Sequence, residues 1–271
     1  MTSTMQPSSG SSALYAICDR VGTITLNRPM RLNAFDGGMI QSLVGILEGI
    51  ARQPGQCSCL CLTGAGRGFC AGADLDFLVQ LRRDMQLREF CSLLEAGRRI
   101  VTLLQELPMP VIAVVNGPAA GGGGSLAMAC DFRIASETAQ FTQAFAKIGV
   151  HADFGASFFL PRLVGEAKAR ELMFTGETID AQEAFRIGLV NRVVPLGQLA
   201  SATQALAETF LSRAPLSLKL MKQTFSESAR EEFQKALDRE MEAQLQCFQS
   251  EDFLAGIEAF VQKKVVSFKG K

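Results

Sequence analysis

Four consecutive glycines, Gly121-Gly122-Gly123-Gly124, stand between an apolar run at 111–115 and the apolar stretch Leu126-Ala127-Met128-Ala129. The first run reads as a strand and the second as a helix, so the chain turns from one into the other through residues without side chains. Such a turn leaves main-chain N–H groups uncovered at a helix start, facing whatever anion or polarised oxygen lies beside them. A second glycine-rich turn, Gly64-Ala65-Gly66-Arg67-Gly68-Phe69-Cys70-Ala71-Gly72-Ala73-Asp74, follows another apolar run at 57–62. Two such turns can offer two donors to one oxygen. Taken singly, each cluster is read as readily as a site of close packing.

At 271 residues with 48% apolar side chains, the chain suits one sizeable domain, or one domain with a smaller appendage. Its 27 Lys and Arg balance 27 Asp and Glu, which removes any global electrostatic reason to bind nucleic acid or an anionic membrane. The eight cysteines are scattered through strand and helix patterns and read as reduced core thiols. Cys57, Cys59 and Cys61 alternate along a strand and would share one face; with no His nearby, burial is preferred over a metal site. Residues 1–12 are Ser/Thr-rich, lack an apolar core or an Arg, and read as a disordered leader on a cytoplasmic protein. No apolar run is long enough to span a bilayer.

Residues 13–17 and 23–26, joined by Asp19-Arg20-Val21-Gly22, form a hairpin pattern. A helix is predicted over 36–50, a strand over 57–62, a long helix over 83–107 ended by Pro108 and Pro110, and a strand over 111–115. Beyond the glycine run come extended pieces at 132–135 and 139–141, helices near 155–163, 167–174 and 181–187, and a strand at 189–194. From 199 to 268 every pattern is helical, interrupted at Pro215 and at Ser250, which can cap the next helix. The alternation predicts an α/β core over 13–200 and a helical C-terminal subdomain over 201–271.

In this order and spacing the residues resemble the crotonase, or enoyl-CoA hydratase/isomerase, superfamily. The resemblance is carried by Leu26-Asn27-Arg28-Pro29 with Asn33-Ala34-Phe35, by Leu62-Thr63-Gly64 through Ala71-Gly72-Ala73-Asp74-Leu75, and by Pro110-Val111-Ile112-Ala113 with Asn116-Gly117 and the glycine run. Met128-Ala129-Cys130-Asp131, Thr175-Gly176-Glu177 and Gly188-Leu189-Val190-Asn191 extend it over nearly everything after the leader. It implies a spiral of ββα turns around two roughly perpendicular sheets, with C-terminal helices that pack subunits into a homotrimer or a hexamer of paired trimers. It also implies an acyl-CoA thioester substrate, with no separate cofactor and no metal. Ala73 and Gly122 match the positions whose N–H groups form the family's oxyanion hole, which stabilises a thioester enolate.

Hydration of an enoyl thioester is helped by two carboxylates, and family hydratases supply two Glu. The matching positions here are Ser125 and Phe145, neither of which transfers a proton near neutral pH. One acid remains, Asp153 in Gly149-Val150-His151-Ala152-Asp153-Phe154-Gly155. By resemblance it matches the acid/base of members that move double bonds, including those of the phenylacetate-breakdown type. The resemblance therefore implies an enoyl-CoA isomerase with a single acid. Read alone, an Asp before a glycine-bearing helix start is an N-cap. Phe145, Phe154 and Phe158 would raise its pKa. His151, the chain's one histidine, is the rival base.

By the same resemblance, backbone around Arg31, Asn33, Ala71, Gly72, Asp74 and Gly121 lines the CoA site, Phe145 joins the substrate-binding set, and Lys263 reaches the CoA phosphates. A lysine there is equally a solvated helix face. The segment 75–85 would close over the acyl chain or simply pack in the core. Two rival classes stay open. Gly122-Gly123-Gly124-Ser125-Leu126-Ala127 fits a loose dinucleotide-binding spacing, although more than a hundred residues precede it. A non-catalytic acyl-CoA-binding protein, or another reaction of the family, would also keep the glycine turns.

Overall fold

The computed structural model describes residues 11–270, so all but the last two residues of the expected leader lie outside the described residues. Strands β1 (Ala13–Cys18) and β2 (Val21–Leu26) form the expected hairpin. Helix α1 (Gly37–Arg52) follows, its first turn closed by Asp36, whose Oδ1 accepts from Met39 N at 2.8 Å. Next come β3 (Cys59–Gly64), α2 (Leu75–Arg83), α3 (Leu87–Glu106), β4 (Val111–Val115) and β5 (Ala119–Ala120). The chain continues through α4 (Gly122–Met128), β6 (Phe132–Ser136), β7 (Gln140–Thr142), α5 (Ala156–Val164), α6 (Glu166–Thr175), β8 (Thr178–Asp180), α7 (Ala181–Arg186) and β9 (Arg192–Val194). Four helices end it: α8 (Leu199–Leu211), α9 (Pro215–Ser228), α10 (Arg230–Gln249) and α11 (Glu251–Val261).

Two sheets organise this mixed α/β fold. One has six strands in the order β1-β2-β3-β4-β6-β9, parallel except at the first hairpin; the other has three, β5-β7-β8. Every residue of β4 is buried, as a parallel strand covered on both faces requires. On one side Val111, Ala113 and Val115 join the main core with Leu43 of α1, Leu104 of α3 and Leu126 of α4. On the other, Ile112 packs with Cys59, Cys61, Ile134 and the α8 residues Leu206 and Ala207. The C-terminal helices do not stand apart: α10 packs on α5 and α3, and α11 on α2. Among the described residues no helix is long and apolar enough to cross a membrane.

Several sequence expectations are corrected here. The helix predicted over 83–107 begins only at Leu87, and Arg83 instead ends the separate helix α2, because Met85 adopts φ 51° and Gln86 N turns back to Leu81 O at 2.9 Å. Neither Gly nor Pro marks that break. The strand expected over 189–194 shrinks to β9; Leu189 and Val190 are buried in the preceding loop, where Leu189 O accepts from Arg133 Nε. A further break falls at Ala229, and helix ends at Val261 rather than near 268. Residues beyond it are tied down by Asp252, whose carboxylate accepts from Lys269 N and Gly270 N. The three alternating cysteines do not share one environment: Cys57 precedes β3 and joins the main core, where Tyr15 Oη donates to its Sγ at 3.7 Å, whereas Cys59 and Cys61 lie in the second cluster. All eight are free thiols.

Candidate active site

Both glycine turns arrive at one cavity. The first is held from beneath by two asparagines. Asn33, fully buried, donates through Nδ2 to Ala65 O and Gly68 O at 2.9 Å and to Phe69 O at 3.2 Å, while Asn116 Nδ2 donates to Gly64 O, Gly66 O and Gly68 O. With its curved carbonyls satisfied, the loop delivers 72–74 alongside Phe35: Phe35 N donates to Gly72 O at 2.7 Å and Asp74 N to Phe35 O at 2.8 Å. Strand alternation turns the N–H of Ala73 to the opposite edge. It has no acceptor among the described residues.

The second turn brings Gly122 to the first position of α4, where a helix N–H has no intrahelical partner. A Cβ added at Gly72, which has φ 84°, would lie 2.7 Å from Ala120 O and 3.3 Å from Gly122 N, so the two turns touch main chain to main chain. Gly123 has a different purpose: a Cβ there would meet Cys70 O at 2.2 Å, which is the close packing of a helix whose seven residues are all buried. The dinucleotide-like spacing is thus largely packing. Ser125, at the position matched to a hydratase acid, is buried and donates its Oγ back to Gly121 O at 3.1 Å.

Asp153 faces Gly122 across the cavity. A Cβ placed on Gly122 would stand 3.3 Å from Asp153 Oδ1, and that oxygen is buried without a hydrogen-bond partner. Oδ2 accepts from Gln244 Nε2 of α10 at 3.3 Å. Burial pushes the Asp153 carboxyl up to about 7, the neighbouring Glu240 carboxylate adds to that rise, and the Gln244 N–H works against it. The N-cap alternative for Asp153 does not hold, because its side chain makes no capping bond at the start of α5. Glu240 of α10 caps that helix instead. It accepts from Gly155 N at 2.8 Å, Ser157 N at 2.7 Å and Ser157 Oγ at 2.5 Å.

The cavity holds about 150 Å³ and is lined by aromatic and aliphatic groups, among them Phe35, Phe77, Phe90, Phe145, Phe154 and Phe260, with Ala71, Gly72, Ala73, Gly121 and Gly122 along one wall. Its polar side chains, Asp153 and Gln244, sit together. Other candidates from the sequence lie elsewhere. His151 is off the wall: its ring Nδ1 is 2.7 Å from Ala152 O, and its main chain is paired with Gln244. The Asp74 carboxylate turns away to Arg28 at 2.9 Å, which also holds Asp36. The Asn33 side chain serves the loop. Arg31 is at the surface, paired with Asp76, and Lys263 is exposed beyond the end of α11 rather than on it. Glu240 and Gln244, both on α10, went unnoticed in the sequence because nothing near them in the chain marks them. No group of three metal-ligating side chains occurs among the described residues.

Known proteins resemble the chain along most of its length. The chain is 36% identical over 254 residues to the crotonyl-CoA hydratase of Syntrophomonas wolfei, covering 93% of this chain and 96% of that protein. It is equally 36% identical over 258 residues to the 1,2-epoxyphenylacetyl-CoA isomerase of Escherichia coli, covering 93% and 95%. The crystal structure of an enoyl-CoA hydratase from Mycobacterium avium subsp. paratuberculosis superposes with a TM-score of 0.86 at 32% identity, over 95% of this chain and 98% of that one. The enoyl-CoA hydratase/isomerase family model matches residues 17–271. With this likeness along its length, the chain belongs to the enoyl-CoA hydratase/isomerase family.

Proposed function

We propose that the protein is an enoyl-CoA isomerase that shifts a double bond by moving one proton between two carbons of an acyl-CoA. The observation carrying this reading is the single buried carboxyl of the cavity, Asp153, whose free Oδ1 faces Gly122 while Ser125 and Phe145 occupy the positions of the hydratase acids. In the proposed step Oδ1 of the carboxylate takes a proton from C2 of a β,γ-enoyl thioester. The C–H electron pair spreads into a dienolate, and the charge gathered on the thioester oxygen is held by the N–H groups of Ala73 and Gly122. The same Oδ1–H then returns the proton to C4, the double bond re-forms between C2 and C3, and the thioester C=O is restored. One carboxyl completes the cycle. A pKa near 7 keeps both of its forms available at neutral pH.

Exposed Arg31 and Lys263 flank the elements that carry Phe77 and Phe260, which supports a role for them at the CoA phosphates. The exposed apolar residues Leu216, Leu220 and Phe225 of α9 support assembly as a homotrimer or hexamer, which sedimentation velocity tests. A second reading, hydration, is favoured by the hydratase name of a relative at 36% identity. Incubating a panel of 2-enoyl- and 3-enoyl-CoAs in deuterated water separates the two. Isomerisation interconverts the 2-enoyl and 3-enoyl regioisomers without adding water, and deuterium enters C2 and C4 to the extent that the Asp153 proton exchanges with solvent between the two transfers. A product heavier by one water would replace this reading by hydration, and absence of both would leave an acyl-CoA-binding protein.

A further inference from the structure

Asp153 keeps a carboxyl oxygen free although its place in the sequence is that of a local cap. We infer that Glu240 and Gln244 are positioning residues for Asp153, Glu240 by occupying the start of α5 in its stead and Gln244 by fixing which of its oxygens faces the cavity. The inference rests on the reading of Asp153 as the reacting acid, and it adds the two groups that set it.

An Asp just before a helix ordinarily folds its carboxylate onto the first free amides. Here those amides, Gly155 N and Ser157 N, are already taken by a carboxylate from another helix, buried to 3% exposure. With no local donor left, the Asp153 side chain extends toward Gly122. Gln244 then selects the oxygen. Its Oε1 accepts from His151 N at 2.9 Å and its Nε2 donates to His151 O at 3.0 Å. A backbone N–H only donates and a carbonyl only accepts, so the amide has a single possible orientation, and the group reaching Asp153 Oδ2 is an N–H. An oxygen that accepts this bond is the carbonyl-like oxygen of the protonated acid. The exchanged proton therefore rides on Oδ1.

The two helpers pull the acid in opposite directions. Burial raises the Glu240 carboxyl, its donors from Ser157 and Gly155, with His151 nearby, favour its charged form, and that charge opposes the ionisation of Asp153. Gln244 favours the Asp153 carboxylate. The other elements closing on Asp153 bring Gly122 from α4 and Phe35 and Phe154 as neighbours of Gly122, none of them charged.

Opposite pulls give a two-sided test, read on the acid limb of kcat/KM, which rises with pH as Asp153 ionises. Glu240→Gln removes the neighbouring charge and should move the midpoint down by about one pH unit, whereas Gln244→Met removes the N–H and should move it up by about one. In both, kcat should fall roughly tenfold with KM nearly unchanged, as for groups that act only on the reacting acid. Gln244→Glu, almost identical in shape, guards against a folding defect and should also move the midpoint up. Infrared titration of carbon-13-labelled carboxyl groups, with the Asp153 band assigned by its loss in Asp153→Asn, reads the same shifts without turnover. Lower activity with an unmoved midpoint, or midpoints moving the same way in both variants, would overturn the inference. If Asp153→Asn still isomerised while the infrared band moved in opposite directions, the proposed reaction would fall and the control of Asp153 by α10 would stand.

Discussion

The two ends of the cavity are built from different material. At one end lie the N–H groups of Ala73 and Gly122, main chain throughout, set by loops whose carbonyls are tied to Asn33 and Asn116. At the other lies Asp153, a side chain whose freedom and charge depend on Glu240 and Gln244. The first end cannot titrate, and its donors belong to no side chain. The second can be retuned by one substitution. On the proposed reaction, the end that holds the thioester is the conservative part of the device, and the choice of chemistry resides in the end made of side chains.

The largest effect should come from the side-chain end. Asp153→Asn is expected to lower kcat for 3-enoyl-CoA isomerisation by about 10³-fold or more with acyl-CoA affinity retained, measured by single-turnover absorbance and by calorimetry. A variant that kept its rate would dissolve the contrast. At the main-chain end, Gly122→Val puts a side chain between the amide and Asp153 and should cost roughly 10²–10³ in kcat, with the midpoint of the pH profile close to that of the parent. Asn33→Ala removes a fully buried side chain that donates to Ala65 O, Gly68 O and Phe69 O and should cost about 3 kcal/mol in urea unfolding.

One predicted effect is on the pH dependence of stability alone. Asp153 binds its proton more tightly in the folded protein than in the unfolded chain, with a pKa near 7 against 3.8. Its contribution is therefore fully present below about pH 4 and is lost as pH rises through 7. Asp153→Asn, which carries no charge to bury, should gain stability over the parent by on the order of 4 kcal/mol at pH 8 and by little at pH 4, read from thermal melts at the two pH values. Equal gains at both would mean that the acid is not strained by burial.

The same division explains what the sequence could reveal. Glycine turns, the fully apolar β4 and the caps at Asp36 and Ser250 are written within a few neighbouring residues, and the helix and strand patterns around them were legible. Asp153 was legible as an acid but not as a free one, because the residue that replaces it at the head of α5 stands on another helix. Gln244 lies 91 positions from its partner. On α10, Glu240 and Gln244 are polar residues one turn apart on a helix with many charges, and only tertiary packing buries them. The break at Met85 was hidden for a similar reason: a non-glycine residue takes the left-handed conformation there, which composition alone does not announce.

A cap that arrives from residue 240 links the chemistry to the order in which the polypeptide is made. A nascent chain emerging through α5 already carries both amides and the acid, yet the head of that helix is still bare and the nearest carboxylate is Asp153 itself. The free state of Asp153 therefore waits on a contact between residues 85 positions apart.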